Sequence, residues 1–136
     1  MNQTLFLEKS YLDQMIAHAR AEKPNEACGL VAGLDGRVVK IYRGTNVHEN
    51  KTVRYSLDPR ELFEAWKDIE DNGWELLAIY HSHPKSPAYP SATDMELAFY
   101  PDSFYVIISL ADDEHPVARA FKIVDGKIHE GEISQR

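Results

Sequence analysis

The sequence predicts an α/β domain in which a mixed β-sheet is flanked by helices. Three observations point there. Strand-like and helix-like patterns alternate along the chain. Two strand-like segments, 75–83 and 104–111, are nearly continuous apolar runs, as expected of strands covered on both faces. Finally, no repeat, linker or low-complexity tract interrupts residues 1–136, so one domain is expected to take up the whole chain.

Taken in order, Ser10 is a candidate N-cap for a helix from Tyr11 to Glu22, with Leu12, Met15, Ile16 and Ala19 on one face and Pro24 as its stop. Segments 27–33 and 37–42 are joined through Asp35-Gly36, a hairpin signal. Residues 52–57 alternate Val53, Tyr55 and Leu57 and read as a further strand. Asp58-Pro59 opens a helix running to Asn72-Gly73, and the spacing of Leu62, Phe63, Trp66 and Ile69 predicts a buried stripe. In the central strand 75–83, side chains alternate with period two, so Leu77, Ile79, His81 and His83 are expected to share a face. Pro84 ends that strand, and 85–90, rich in Ser and Pro, is a loop. A helix from Ala92 to Tyr100, the buried strand 104–111 and a closing hairpin of 117–124 with 127–133 across Asp125-Gly126 complete the reading.

With 136 residues, 43% of them apolar and 27% charged, the chain is large enough for a sizeable core. Its formal charge of -7 and the absence of a basic run argue against nucleic acid or an anionic membrane as the main partner. No stretch of about 18 apolar residues occurs, and Met1 to Lys9 lacks the features of a signal peptide, so a cytoplasmic location is expected. The one cysteine, Cys28, excludes an internal disulfide and reads as a small buried hydrophobe rather than a nucleophile. His18, His48, His115 and His129 have no metal-ligand spacing and are expected at the surface.

The chemistry is concentrated in His81-Ser82-His83-Pro84 and Ser91-Ala92-Thr93-Asp94. Two imidazoles converge at the end of the strand, and the following loop can bring Asp94 back over them. Two neutral imidazole nitrogens and one carboxylate oxygen suit zinc, and three protein ligands with an open fourth position describe a catalytic rather than a closed structural site. Each motif also has a plainer reading. A His-x-His can simply be exposed or hydrogen-bonded, and Ser91-x-x-Asp94 is a capping box for the helix that follows. A carboxylate in the first turn of a helix can serve both purposes, so neither motif decides alone.

The combination is more specific. His81-Ser82-His83-Pro84, the ten residues between His83 and Asp94, Ser91, and Glu26 within Pro24-Asn25-Glu26-Ala27-Cys28-Gly29-Leu30-Val31-Ala32-Gly33 resemble the JAMM metalloproteases, the MPN-plus branch of the MPN domains. The resemblance covers essentially the whole chain and implies the MPN fold, which has a cytidine deaminase-like architecture. It further implies one zinc per chain held by His81, His83 and Asp94 with a water in the fourth position, Glu26 as general base, and Ser91 helping zinc to stabilise an oxyanion. The implied substrate is a ubiquitin-like or sulfur-carrier protein whose C-terminal Gly-Gly tail lies extended in a groove and is cut from an amide-linked cysteine or lysine. Compared with larger relatives the chain lacks room for a long insertion or a helical extension, and its shortness and the run Ala88-Tyr89-Pro90-Ser91 look more like the sulfur-carrier processing group. The groove is expected between 45–56 and 88–91, where Asn46, Tyr55 and Tyr89 carry no assigned role. An inactive MPN scaffold is the alternative, but such relatives have lost ligands that this chain retains. A zinc nucleobase deaminase, which needs His-x-Glu and Pro-Cys-x-x-Cys, is excluded by the lone Cys28.

Overall fold

The computed structural model describes residues 3–136. Along the chain lie β1 (Thr4–Phe6), α1 (Lys9–Glu22), β2 (Cys28–Leu34), β3 (Arg37–Arg43), α2 (Pro59–Asp71), β4 (Glu75–His83), α3 (Ala92–Glu96), β5 (Phe104–Ser109), β6 (Val117–Val124), β7 (Lys127–Glu130) and β8 (Glu132–Ser134). The strands form one mixed sheet in the order β7-β6-β5-β4-β2-β3-β1-β8. β4 lies near its centre, antiparallel to β2 and parallel to β5.

The first and last strands in that order are separated in sequence by Gly131 alone, so the sheet must curl until its two ends meet. Gly131 is forced by the seam: its N–H donates to Ala120 O at 2.9 Å, and a Cβ there would lie 2.8 Å from both the Gln3 carbonyl oxygen and the Phe104 ring. The concave face buries Leu5, Leu7, Val31, Tyr80, Val106, Ile108 and Ala120 against Met15 and Ala19 of α1. The opposite face carries Leu30, Ile79, Tyr105 and Ile123 with Ala65 of α2. Burying each such large apolar side chain contributes about 1.5–3 kcal/mol, which makes these two layers the main source of stability. α2 begins as the sequence implies, with Pro59 in its first turn and the Asp58 carboxylate accepting from the N–H groups of Arg60 and Glu61 at 2.9 and 3.2 Å. The β2–β3 turn places Asp35 and Gly36 at φ of 53° and 78°, the left-handed pair that a tight hairpin requires.

Several expectations are corrected. α1 starts at Lys9, so Ser10 lies inside the helix rather than capping it, and Glu8 at the N-cap makes no side-chain bond. Residues 52–57 are not a strand, and among the described residues their ladder pairing is limited to an isolated bridge between Asn46 and Leu57. Of the α2 stripe, Ile69 is buried, but Phe63 is 67% and Trp66 38% exposed, because the apolar arc is wider than the surface the sheet offers it. The helix after Ser91 stops at Glu96 instead of Tyr100. The closing segment 127–133 divides into β7 and β8, and β1 was not anticipated. Within β4, a register shift opposite Val31 and Ala32 makes Leu77 an extra residue. Leu77 therefore packs with the concave core, while Leu76 and Ile79 face the other layer. His18, expected at the surface, is buried with its Nδ1 2.7 Å from the Tyr80 hydroxyl, since it shares the inward face of α1 with Met15 and Ala19. Burial lowers its pKa.

Candidate metal centre and active site

His81 and His83 leave the end of β4 on the same side of the sheet, as period-two alternation requires, and both are buried. Their Nε2 atoms are 3.1 Å apart. Asp94, in the first turn of α3, brings its Oδ2 to 3.2 Å from His81 Nε2 and 3.1 Å from His83 Nε2. The capping box also forms: Ser91 Oγ accepts from the Asp94 N–H at 3.1 Å, and the same Oδ2 accepts from the Ser91 N–H at 2.9 Å. The two readings of Ser91-x-x-Asp94 are thus one arrangement, in which the cap aims the carboxylate at the histidines.

These three atoms test well as a metal site. Tetrahedral bonds of about 2.0–2.1 Å to zinc would set ligand atoms roughly 3.3 Å apart, close to the triangle observed. His83 Nδ1 lies 2.8 Å from the Pro87 carbonyl oxygen, a partner that can only accept, so the proton belongs on Nδ1 and the Nε2 lone pair faces the centre. His81 stacks on Tyr55 at 4.6 Å between ring centroids, and its buried Nδ1 has no hydrogen-bond partner among the described residues. Two imidazole nitrogens and a carboxylate oxygen at such spacing need a proton or a cation between them.

The electrostatics agree. Burial tends to raise Asp94, but hydrogen bonds toward His81 and His83 and from the Ser91 N–H override it and hold the carboxyl well below the usual range. Burial lowers His81 despite the neighbouring carboxylate. At His83 burial acts downward too, yet Asp94 and the Pro87 carbonyl outweigh it and raise the pKa.

Glu26 stands two residues before β2 and is buried. Its carboxyl is pushed up to about 7, chiefly by burial, with Asp94 adding to the rise and His83 opposing it. Glu26, His83 and Ser91 line one cavity of about 300 Å³, walled on another side by Thr52 and Val53. All five residues singled out in the sequence therefore converge on one place, although the 52–57 segment reaches it as a loop. Cys28 is buried with its thiol pushed up to about 12, mainly by burial, which fits a small core residue and disfavours the thiolate a nucleophile needs.

Other residues that shape the site carry no sequence signal of their own. Ser82 lies between the two histidines and faces away from them. Its Oγ accepts from the Ala27 N–H at 2.8 Å and its N–H donates to Ala27 O at 3.0 Å, tying the Glu26 segment to β4. Asn46, 3% exposed, donates to the Glu26 carbonyl at 2.9 Å. Tyr55 supplies the stacking face for His81, and burial raises its pKa. Only the general expectation that 45–56 borders the site pointed to Asn46 and Tyr55. No helix among the described residues is long and apolar enough to cross a membrane.

Comparison with known proteins supports this picture. The chain is 38% identical over 132 residues to a CysO-cysteine peptidase of Mycobacterium tuberculosis, a match spanning 96% of this chain and 90% of that one. It is 40% identical over 103 residues to a desampylase of Haloferax volcanii, covering 71% of this chain and 74% of the relative. The solution structure of a protein from Desulfitobacterium hafniense superimposes with a TM-score of 0.85 at 42% identity, covering 96% of this chain and 91% of that one. The family model Prok-JAB, described as prokaryotic homologs of the JAB domain, matches residues 8–124. With a centre built from His81, His83 and Asp94 on a mixed α/β sheet, the chain belongs to the Prok-JAB family.

Proposed function

We propose that this protein is a zinc-dependent peptidase that hydrolyses the amide bond after the C-terminal Gly-Gly of a ubiquitin-like or sulfur-carrier protein. The observation that carries the reading is the triangle of His81 Nε2, His83 Nε2 and Asp94 Oδ2 beside a cavity that Glu26 also lines. In it, His81, His83 and Asp94 hold the metal. Zinc bound there lowers the pKa of a water from about 16 towards 7 and polarises the carbonyl to be cut. Glu26 takes the proton of the attacking water and hands it to the leaving amine. A carboxyl raised to about 7 is matched to that exchange at neutral pH, and such transfer contributes on the order of a hundred- to ten-thousand-fold. The Ser91 hydroxyl accepts from Asp94 and keeps its own hydrogen to donate to the oxygen that gains charge.

The substrate reading draws on the relatives. A CysO-cysteine peptidase and a desampylase both match this chain, and the former does so over 96% of this chain. Both names fit hydrolysis of conjugates of small carrier proteins. We take a carrier joined through its terminal glycine to cysteine as the first substrate, and an isopeptide to lysine as the second.

The test is direct. A carrier ending in Gly-Gly and amide-linked to cysteine is mixed with zinc-loaded protein, and the products are weighed by mass spectrometry. Cleavage directly after the last glycine is expected, and replacing that glycine with valine should slow it about a hundredfold, since misplacement of about 1 Å costs that much. Indiscriminate cutting of casein, with no preference for the Gly-Gly tail, would make this a broad metalloprotease and overturn the substrate reading.

A further inference from the structure

We propose that Asn46 is a positioning residue that holds the backbone of Glu26 in its working place, using the same side-chain amide that anchors the 47–56 loop. This rests on the reading of Glu26 as general base.

Glu26 lies outside the regular ladder, since β2 begins only at Cys28. Its backbone is gripped on both sides by a single loop: its N–H donates to Lys51 O at 2.7 Å, and its carbonyl accepts from Asn46 Nδ2 at 2.9 Å. The same Nδ2 donates to Arg54 O at 3.0 Å. On the other side of the amide, Oδ1 accepts from the N–H groups of His48 at 3.0 Å and Ser56 at 3.1 Å. Both donors and both acceptor positions of the side chain are therefore used. The amide orientation is unambiguous, because flipping it would set an NH2 group against two N–H donors and an oxygen against two carbonyls.

Little else holds this loop. Between residues 47 and 56 only His48 and Tyr55 are partly buried, and the rest are exposed. Thr52 and Val53, which line the cavity together with His83 and Ser91, belong to the exposed part. The base of the loop is closed by the Asn46–Leu57 bridge and by Thr45, which accepts from the Asp58 N–H and donates to Glu61. Beyond that base, the Lys51 bond, the Tyr55 stack on His81 and the buried amide of Asn46 tie the loop to the site. That amide also explains why 52–57 does not become a strand. The N–H of Ser56 and the carbonyl of Arg54, which a sheet neighbour would otherwise engage, are taken by one side chain.

Asn46 is neither one of the three triangle residues nor itself part of the cavity lining, and its hydrogen bond to a lining residue is the one to Glu26, so it acts through Glu26. The effect is read by a double-mutant cycle on zinc-loaded protein with the carrier–cysteine conjugate. Asn46→Ala should retain one zinc per chain by elemental analysis, lower kcat about tenfold or more, and change KM less than about threefold. In a Glu26→Gln background, where the base is already disabled, the same substitution should cause almost no further loss. Asn46→Ser, which keeps one donor, should fall between Asn46→Ala and the unaltered chain. A raised KM with intact kcat, an equal loss in both backgrounds, or loss of zinc would overturn the proposal. So would failure of both Asn46 variants to fold, since a residue on which the whole fold depends is not acting through the base. If Glu26→Gln alone left kcat unchanged, the reading of Glu26 as base would fail whatever Asn46 did.

Discussion

His81 and His83 leave the sheet from a strand paired on both sides, with Cys28 opposite His81 and Ser109 beside His83, whereas Glu26 precedes its strand and depends on an irregular loop. The ligand half of the site thus inherits its geometry from the central ladder and a capped helix turn. The Glu26 half is held by single hydrogen bonds from Asn46 and to Lys51, and is tied to β4 through the two bonds between Ala27 and Ser82. The difference teaches that the triangle of His81, His83 and Asp94 and the placement of Glu26 rest on different supports that meet at Ser82.

The largest expected effects lie in the ligand half. His81→Ala or His83→Ala should abolish both zinc content and turnover while the far-ultraviolet dichroism stays that of the folded sheet, because the core does not rest on three ligands at a strand end. Full zinc in the His81→Ala/His83→Ala double variant would remove the basis of the comparison. Next comes Glu26→Gln, which should keep the metal and lose at least about a hundredfold in kcat; zinc lost with it would move Glu26 into the ligand half. Ser91→Ala belongs to both halves. It should cost about 1 kcal/mol of stability by removing the helix cap, and lower kcat by more than that stability loss explains, as steady-state rates measured well below the melting temperature will show.

The pH dependence sharpens the contrast further. Glu26 is raised to about 7, so activity should rise as pH increases through that value and the base ionises. Its linkage to stability has the opposite sense. Because the folded protein holds this proton more tightly than the unfolded chain does, its contribution is fully present below the ordinary carboxyl range and is lost as pH rises towards 7. Asp94, depressed by its partners, contributes above its ordinary range and loses that contribution as pH falls. Melting curves of Glu26→Gln and the unaltered chain should therefore diverge as pH rises. The smallest effect serves as a control outside both halves: Phe63→Ser, at a position 67% exposed, should shift stability by no more than about 0.5 kcal/mol and leave zinc and kcat alone.

What could be read directly from the sequence is what local chemistry determines. Period-two alternation put His81 and His83 together, the Asp35-Gly36 and Asp125-Gly126 pairs gave both hairpin turns, and Asp58-Pro59 marked the start of α2. What escaped depends on partners distant in sequence. Thr4–Phe6 is too short to declare itself and is a strand because β3 and β8 flank it. Val53, Tyr55 and Leu57 alternate like a strand, but Asn46 occupies the backbone groups that would pair. Phe63 and Trp66 have the spacing of buried residues, and only the edge of the layer leaves them in solvent. His18 looked like any surface histidine until Tyr80 appeared beneath it. In the site the residue types were visible and the supporting bonds of Ser82, Asn46 and Tyr55 were not, since a hydrogen bond across 55 residues leaves no local pattern.

The seam at Gly131 has a consequence for how the molecule is made. Thr4 pairs with Glu132 and Phe6 with Ser134, so β1 finds one of its two neighbours only after the strands between them have been translated. On a ribosome adding about 5–20 residues per second, β1 must wait several seconds for that edge. The β2–β3 hairpin and the β4–β5 pair, in which β4 carries His81 and His83, are available earlier and involve contacts closer in sequence. Closing the curl thereby has to follow synthesis of the other strands of the sheet, and a nascent chain stalled before residue 131 would present an open sheet edge to chaperones.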